Sequence, residues 1–222
     1  MKILIALFSV ILISCAFTPQ KMKKVIFFGD SITELGVKPG GYVKLVDSLC
    51  KAENKSGQFS FEGSGISGNK IYDLYLRMDD DVLAKNPDIV VIYIGVNDVW
   101  HKSLLGTGTD ADKFEKFYNA VIKKLQAKNI KVILATPAVV GEKADMDNPL
   151  DAELNKYCNI VKGIARKSGL PLVDLRTLFM DYYKKNNPRN EEKNILTTDR
   201  VHLNAKGNRL VAGAMWNAVK SL

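Results

Sequence analysis

The sequence predicts an α/β protein, a five-stranded parallel sheet held between two layers of helices. Three observations predict it. Short apolar runs rich in β-formers alternate with longer stretches whose apolar residues recur at helical spacing. The central run, residues 89–94, is apolar at every position, as expected of a strand buried on both faces of a parallel sheet. Helical crossovers between successive strands are what parallel neighbours require.

The elements follow in order. Residues 25–29 (VIFFG) form the first strand, broken by Gly29-Asp30. Apolar residues at 42, 43, 45, 46, 49 and 50 make a helical stripe. Residues 59–62 give a weak second strand, and 71–83 a second helix. After the strand at 89–94, Phe114, Phe117, Tyr118, Val121, Ile122 and Leu125 form another stripe. Residues 131–136 (KVILAT) are a strand stopped by Pro137. Leu154, Tyr157, Cys158, Val161, Ile164 and Ala165 lie on one helical face, ended by Ser168-Gly169. Residues 172–174 are a short fifth strand. Asn204 is placed to cap a final helix bearing Leu210, Val211, Ala214, Met215 and Val219. With no repeat, low-complexity tract or linker, residues 22–222 read as one domain.

The 222 residues are 46% hydrophobic and 25% charged, which excludes a disordered or collagen-like chain. The net charge is 32 − 24 = +8, but the basic residues are dispersed. A nucleic-acid binder clusters them on one face or arm, so no nucleic-acid partner is expected.

Residues 1–14 read as an export signal outside the fold. Lys2 precedes an apolar run, residues 3–14, too short to span a bilayer, which takes about 20 residues. Leu12-Ile13-Ser14-Cys15 resembles the lipobox of bacterial lipoproteins, which implies cleavage before Cys15, acylation of its thiol and a membrane-anchored, exported protein. The alternative is an ordinary cleaved signal with an incidental Cys15. Removing 1–14 leaves a side-chain charge of +7, since only Lys2 is lost. Export would permit a disulfide between Cys50 and Cys158. Both fall on apolar helix faces, where two buried thiols are expected instead. Neither a CxxC nor a His/Cys cluster marks a metal site.

Open parallel sheets bind ligands outside the carboxyl ends of their strands. Past the first strand lies Gly29-Asp30-Ser31-Ile32-Thr33; past the second, Gly65-Ile66-Ser67-Gly68-Asn69; past the third, Gly95-Val96-Asn97-Asp98. Asp199-Arg200-Val201-His202 precedes the last helix. A serine, small and amide donors and an Asp-His pair on one rim are the parts that acyl transfer to serine needs.

These four blocks resemble those of the SGNH hydrolases, also called the GDSL lipase/esterase family. GDSIT matches the block that supplies the nucleophile, Ser31. GISGN places the oxyanion glycine on Gly68, GVND the oxyanion asparagine on Asn97, and DRVH the acid and base on Asp199 and His202. The family's leucine is Ile32 here. The resemblance implies a flavodoxin-like three-layer α/β/α sandwich. Ser31 does not lie in a G-x-S-x-G elbow, which argues against the α/β-hydrolase fold.

The chemistry follows from the residues. A serine hydroxyl attacks only when a base takes its proton. His202 is that base, held by Asp199 three residues earlier. The backbone N–H groups of Ser31 and Gly68 and the side-chain amide of Asn97 receive the oxyanion. Asp30 is expected to hydrogen-bond within its turn and Asp98 to cap a helix or turn. No cofactor and no metal enter any step.

The loops bearing Trp100 and Val139 leave the same edge and are the candidate substrate contacts. Trp100 suits a sugar ring, an acyl chain or a core-covering role equally. His101 reads as a surface residue rather than a second base. With no continuous apolar flap, a small acyl group such as acetate on a carbohydrate is expected. A lysophospholipid or thioester-type lipid substrate is the alternative. A non-catalytic surface binding lipoprotein is the other class. The sequence sets no oligomeric state.

Overall fold

The computed structural model describes residues 21–144 and 146–222; the export segment 1–14 and Cys15 lie outside the described residues. The five strands are β1 (Lys23–Gly29), β2 (Phe59–Gly65), β3 (Ile89–Tyr93), β4 (Lys131–Ala135) and β5 (Leu172–Val173). They form one parallel sheet in the order β2-β1-β3-β4-β5. The order reverses between β1 and β3. That switch point opens a crevice at the strands' carboxyl ends.

The register brings those ends level: Gly29 pairs with Gly65 on one side and Tyr93 on the other, and Tyr93 pairs with Ala135. β3 is fully buried at every residue, as its unbroken apolar run requires.

Among the described residues, eight α-helices connect and flank the strands: α1 (Ser31–Gly36), α2 (Tyr42–Ala52), α3 (Ile71–Asp81), α4 (Val96–Leu105), α5 (Ala111–Gln126), α6 (Asp151–Ser168), α7 (Leu175–Asn186) and α8 (Ala205–Lys220). α2 packs on α8, while α3, α5 and α6 pack in a row. The predicted stripes are the buried faces, including Phe114, Tyr118, Val121, Ile122 and Leu125 on α5. Gly169 ends α6 in the left-handed region at φ 62°, and the Asn204 side chain accepts from Lys206 and Gly207 N–H to start α8. Cys50 and Cys158 are free and buried. Burial pushes the Cys50 thiol up and the Cys158 thiol to about 12.

Three helices were not predicted. In α4 the buried face is Val96, Asn97, Asp98 and Val99, so polar residues interrupt the apolar period. α7 has an apolar stripe, Leu175, Phe179 and Tyr183, that the sequence reading passed over, and α1 has only six residues. The α4 result corrects the placement of Trp100 and His101, which lie on a helix and not on a loop.

Candidate active site

β1 ends where the site begins. A Cβ on Gly29 would lie 2.4 Å from the Tyr93 carbonyl and 2.4 Å from Thr33 Oγ1, so only glycine lets the chain turn there between two strands. Asp30 then caps α1, its Oδ1 accepting from Ile32 N–H at 3.0 Å. Ser31 is the first residue of α1 and 7% exposed. As a first-turn amide its N–H has no partner inside the helix. α1 crosses β2 closely: a Cβ on Gly65 would lie 2.1 Å from the Glu34 nitrogen.

Ser31 Oγ is 2.8 Å from His202 Nε2, and His202 Nδ1 is 2.6 Å from Asp199 Oδ2. The other Asp199 oxygen accepts from the backbone N–H of Val201 and His202, at 3.1 and 2.8 Å. Carboxylate and imidazole thus share a turn that fixes both. Arg200 adopts φ 85°, a conformation costly for a side chain with a Cβ, and the turn is braced around it. Arg200 N–H donates to Thr197 Oγ1, its carbonyl accepts from Gly141 N–H, and Thr198 N–H donates to the His202 carbonyl. Burial raises the Asp199 carboxyl, but the bonds from His202 and Val201 outweigh it and hold it below the usual range. An imidazole so held can take a proton from Ser31 Oγ and stay balanced by the carboxylate.

The stem of this turn rests on a residue the sequence reading missed. Glu142 is fully buried in the segment after β4. Its Oε1 accepts from Leu196 N–H (2.7 Å), Thr197 N–H (2.5 Å) and Tyr183 Oη (3.2 Å), and its Oε2 from Ile195 N–H (2.7 Å). Three consecutive amides therefore converge on one carboxylate, two residues before Asp199. The available signal was a lone acid ending an otherwise apolar run, Ala138-Val139-Val140-Gly141-Glu142.

Gly68 has φ 76°, which favours glycine. Asn97, in the first turn of α4, is 2% exposed, and its Nδ2 donates to the Asn69 carbonyl at 3.1 Å. One amide hydrogen of Asn97 is thereby tied down and the second remains. Asp98 does act as a cap, for a distant helix: its Oδ1 accepts from Ile71 N–H at the start of α3. Burial raises the Asp30 and Asp98 carboxyls to about 7.

His101 is half-buried and faces the site. It follows Asn97 by one helical turn, and a Cβ on Gly68 would lie 3.7 Å from its Cε1. That replaces the expectation of a surface residue. Burial, then the charge of Lys70, push its ring below the usual histidine range. Trp100 is half-buried against the core, its ring 5.6 Å from that of His101. Val139 is 2% exposed and packs in the core, which corrects its placement as a substrate contact: its side chain is covered by its apolar neighbours. Among the described residues, no group of three or more His, Cys, Asp or Glu side chains could hold a metal ion.

Fold and site together define a carboxylic ester hydrolase. Residues 27–210 match the family model for the GDSL-like Lipase/Acylhydrolase family, and the chain belongs to that family. It is 31% identical over 207 residues to an acetylxylan esterase of Geobacillus stearothermophilus, covering 86% of this chain and 91% of the relative. A crystal structure of an acetyl xylan esterase superposes with a TM-score of 0.87 at 60% identity, covering 88% of this chain and 99% of that one. A solved acetylxylan esterase from Geobacillus stearothermophilus superposes at 0.79 with 29% identity, over 90% and 95%. Its catalytic mutants alter a serine, an aspartate, and a histidine three positions after the aspartate.

Proposed function

We propose that this protein is a serine esterase that removes acetyl groups from a xylan-type carbohydrate through an acetyl-enzyme. The observation that carries the reading is the unbroken series Ser31–His202–Asp199, with contacts of 2.8 and 2.6 Å, on the rim that also bears Gly68 and Asn97. In the first half-reaction His202 Nε2 takes the Ser31 proton as Oγ bonds to the ester carbonyl carbon. The oxyanion receives the N–H groups of Ser31 and Gly68 and the free amide hydrogen of Asn97. The C–O bond to the sugar breaks, and His202 gives the proton to the departing hydroxyl. In the second half, water gives a proton to His202 and attacks the acetyl carbon. Acetate leaves, and Ser31 regains the proton.

The similarity to acetylxylan esterases over nearly the whole chain supports acetate and saccharide as the two halves of the substrate. Trp100 flanks the rim as the saccharide contact. The test is a panel of p-nitrophenyl esters from acetate to palmitate beside acetylated xylo-oligosaccharides. Acetate release from the oligosaccharides, with kcat/KM falling as the acyl chain lengthens, is expected. Preference for long chains would favour the lipid-ester reading, and inactivity throughout a binding protein.

Export and anchoring belong to the same proposal. The Leu12-Ile13-Ser14-Cys15 pattern supports a mature chain that begins at acylated Cys15 on a membrane. Intact-mass measurement of cell-made protein should show the lipid on Cys15. An unmodified N-terminus after Cys15 would contradict it.

A further inference from the structure

Arg77 lies on α3 with its side chain 15% exposed, and every one of its five N–H donors has an acceptor. Nε donates to Asn69 Oδ1 at 2.7 Å. One terminal nitrogen donates to Ser64 Oγ and Asp81 Oδ2, at 2.8 and 2.7 Å. The other donates to the carbonyls of Gly29 and Ser64, at 2.8 and 3.1 Å. The guanidinium also lies over the Phe28 ring, 4.6 Å from its centroid.

The acceptors are not a random surface set. Gly29 is the last residue of β1, two before Ser31. Ser64 is the next-to-last residue of β2 and directly precedes the segment 65–69 that carries Gly68. Asn69 follows Gly68 directly, and its carbonyl takes the Asn97 amide. One rigid planar group therefore touches the end of the nucleophile strand and both ends of the glycine segment. Through Asn69 it reaches the side chain of Asn97. A lysine at this position would offer one point charge in place of a fork.

We propose that Arg77 is a positioning residue for the oxyanion site. It locks segment 65–69 against the end of β1 and, through Asn69, aims the free amide hydrogen of Asn97 at the carbonyl oxygen of an ester on Ser31. This rests on the reading of Ser31, Gly68 and Asn97 given above. Arg77 touches no substrate; misplacement of a donor by about 1 Å is enough to cost about 10²-fold in rate.

A double-mutant cycle on p-nitrophenyl acetate tests it, with kcat and KM measured for wild type, Arg77→Lys, Asn97→Ala and the double variant. Arg77→Lys should lower kcat by about 10²-fold with KM nearly unchanged. In the Asn97→Ala background the same change should cost much less, because the donor it aims is gone. Asn69→Ala cuts the link while leaving Arg77 four of its acceptors. It should show the same coupling to Asn97→Ala, and it serves if Arg77→Lys does not fold. Full kcat in Arg77→Lys, or equal losses in the two backgrounds, would overturn the proposal. Full kcat in Asn97→Ala alone would instead refute the oxyanion reading beneath it.

Discussion

Replacing Glu142 with glutamine separates the support of the acid–base turn from its chemistry. The wild-type carboxylate takes four donors, three of them on Oε1. Glutamine can keep its carbonyl at the Oε1 position, but its amide nitrogen then meets the Ile195 N–H, donor against donor. Hydrogen bonds to a charged acceptor contribute about 1.5–3 kcal/mol and neutral ones about 0.5–1.5, while an orphaned buried N–H costs about 1–3. Three weakened bonds and one orphan come to roughly 4–7 kcal/mol. For a chain of this size each kcal/mol lowers Tm by about 2–4 °C, so melting should fall by roughly 8–28 °C. Thermal denaturation measures that. Esterase turnover well below the new Tm measures the second effect: kcat should drop by about 10-fold or more, since Thr197 bridges to Leu203 and frames Asp199 and His202. A Tm within a degree or two of wild type would refute the energetic argument. A lower Tm with unchanged kcat would show that Glu142 supports the fold without setting the base.

The other predictions concern charge. Asp30 is held at about 7 by burial against 3.8 when unfolded, so the native state binds its proton more tightly. Its contribution to stability is therefore full below about pH 3.8 and lost as pH rises through about 7. Asp30→Asn keeps the cap acceptor, and denaturant melts should show it gaining on wild type as pH rises from 3.8 to about 7 and levelling off above; a constant difference across that window would contradict this. Arg176 and Asp151 form an ion pair with side chains 4% and 1% exposed, and Arg176→Met should destabilise by about 3–5 kcal/mol in the same assay, where a loss under 1 kcal/mol would be too small for a buried pair. Asp199→Asn should lower kcat by up to about 10⁴-fold through the loss of the tautomer-fixing partner, and near-normal turnover would remove Asp199 from the mechanism. EDTA should leave activity intact, because each proton and each developing charge already has a protein partner; loss restored by zinc or manganese would point to a metal hydrolase.

The sheet was legible because its central strands β1, β3 and β4 are mostly buried and read as apolar runs, β3 above all; the edge strand β2 is half-buried and read weakly. Three of the blocks were legible because each follows a strand end, where a parallel sheet exposes its loops, and the fourth because an Asp and a His three apart precede the last helix. The helices α1 and α4 were not, because a helix that buries Ser31, Asn97 or Asp98 has no clean apolar stripe to count, whereas α7 carries one at Leu175, Phe179 and Tyr183 that the sequence reading passed over. Placing His101 at the surface failed for a related reason: only once α4 is a helix does position 101 share a face with Asn97. Glu142 and Arg77 were missed because their partners lie far off in sequence. Glu142 reaches Thr197, 55 positions on, and Arg77 reaches Gly29, 48 positions back. Such bonds are set by tertiary packing and leave no local pattern.

The central claim is that Ser31, activated by His202, carries the acyl group. A serine-directed fluorophosphonate followed by peptide mass spectrometry tests it most directly, with Ser31→Ala as the companion variant. The label should fall on Ser31 and be slowed strongly by His202→Ala. Ser31→Ala should remain folded and lose several powers of ten in kcat. Label on Ser67, whose N–H is 2.6 Å from Glu34 Oε2 on the same rim, or undiminished turnover in Ser31→Ala, would contradict the account.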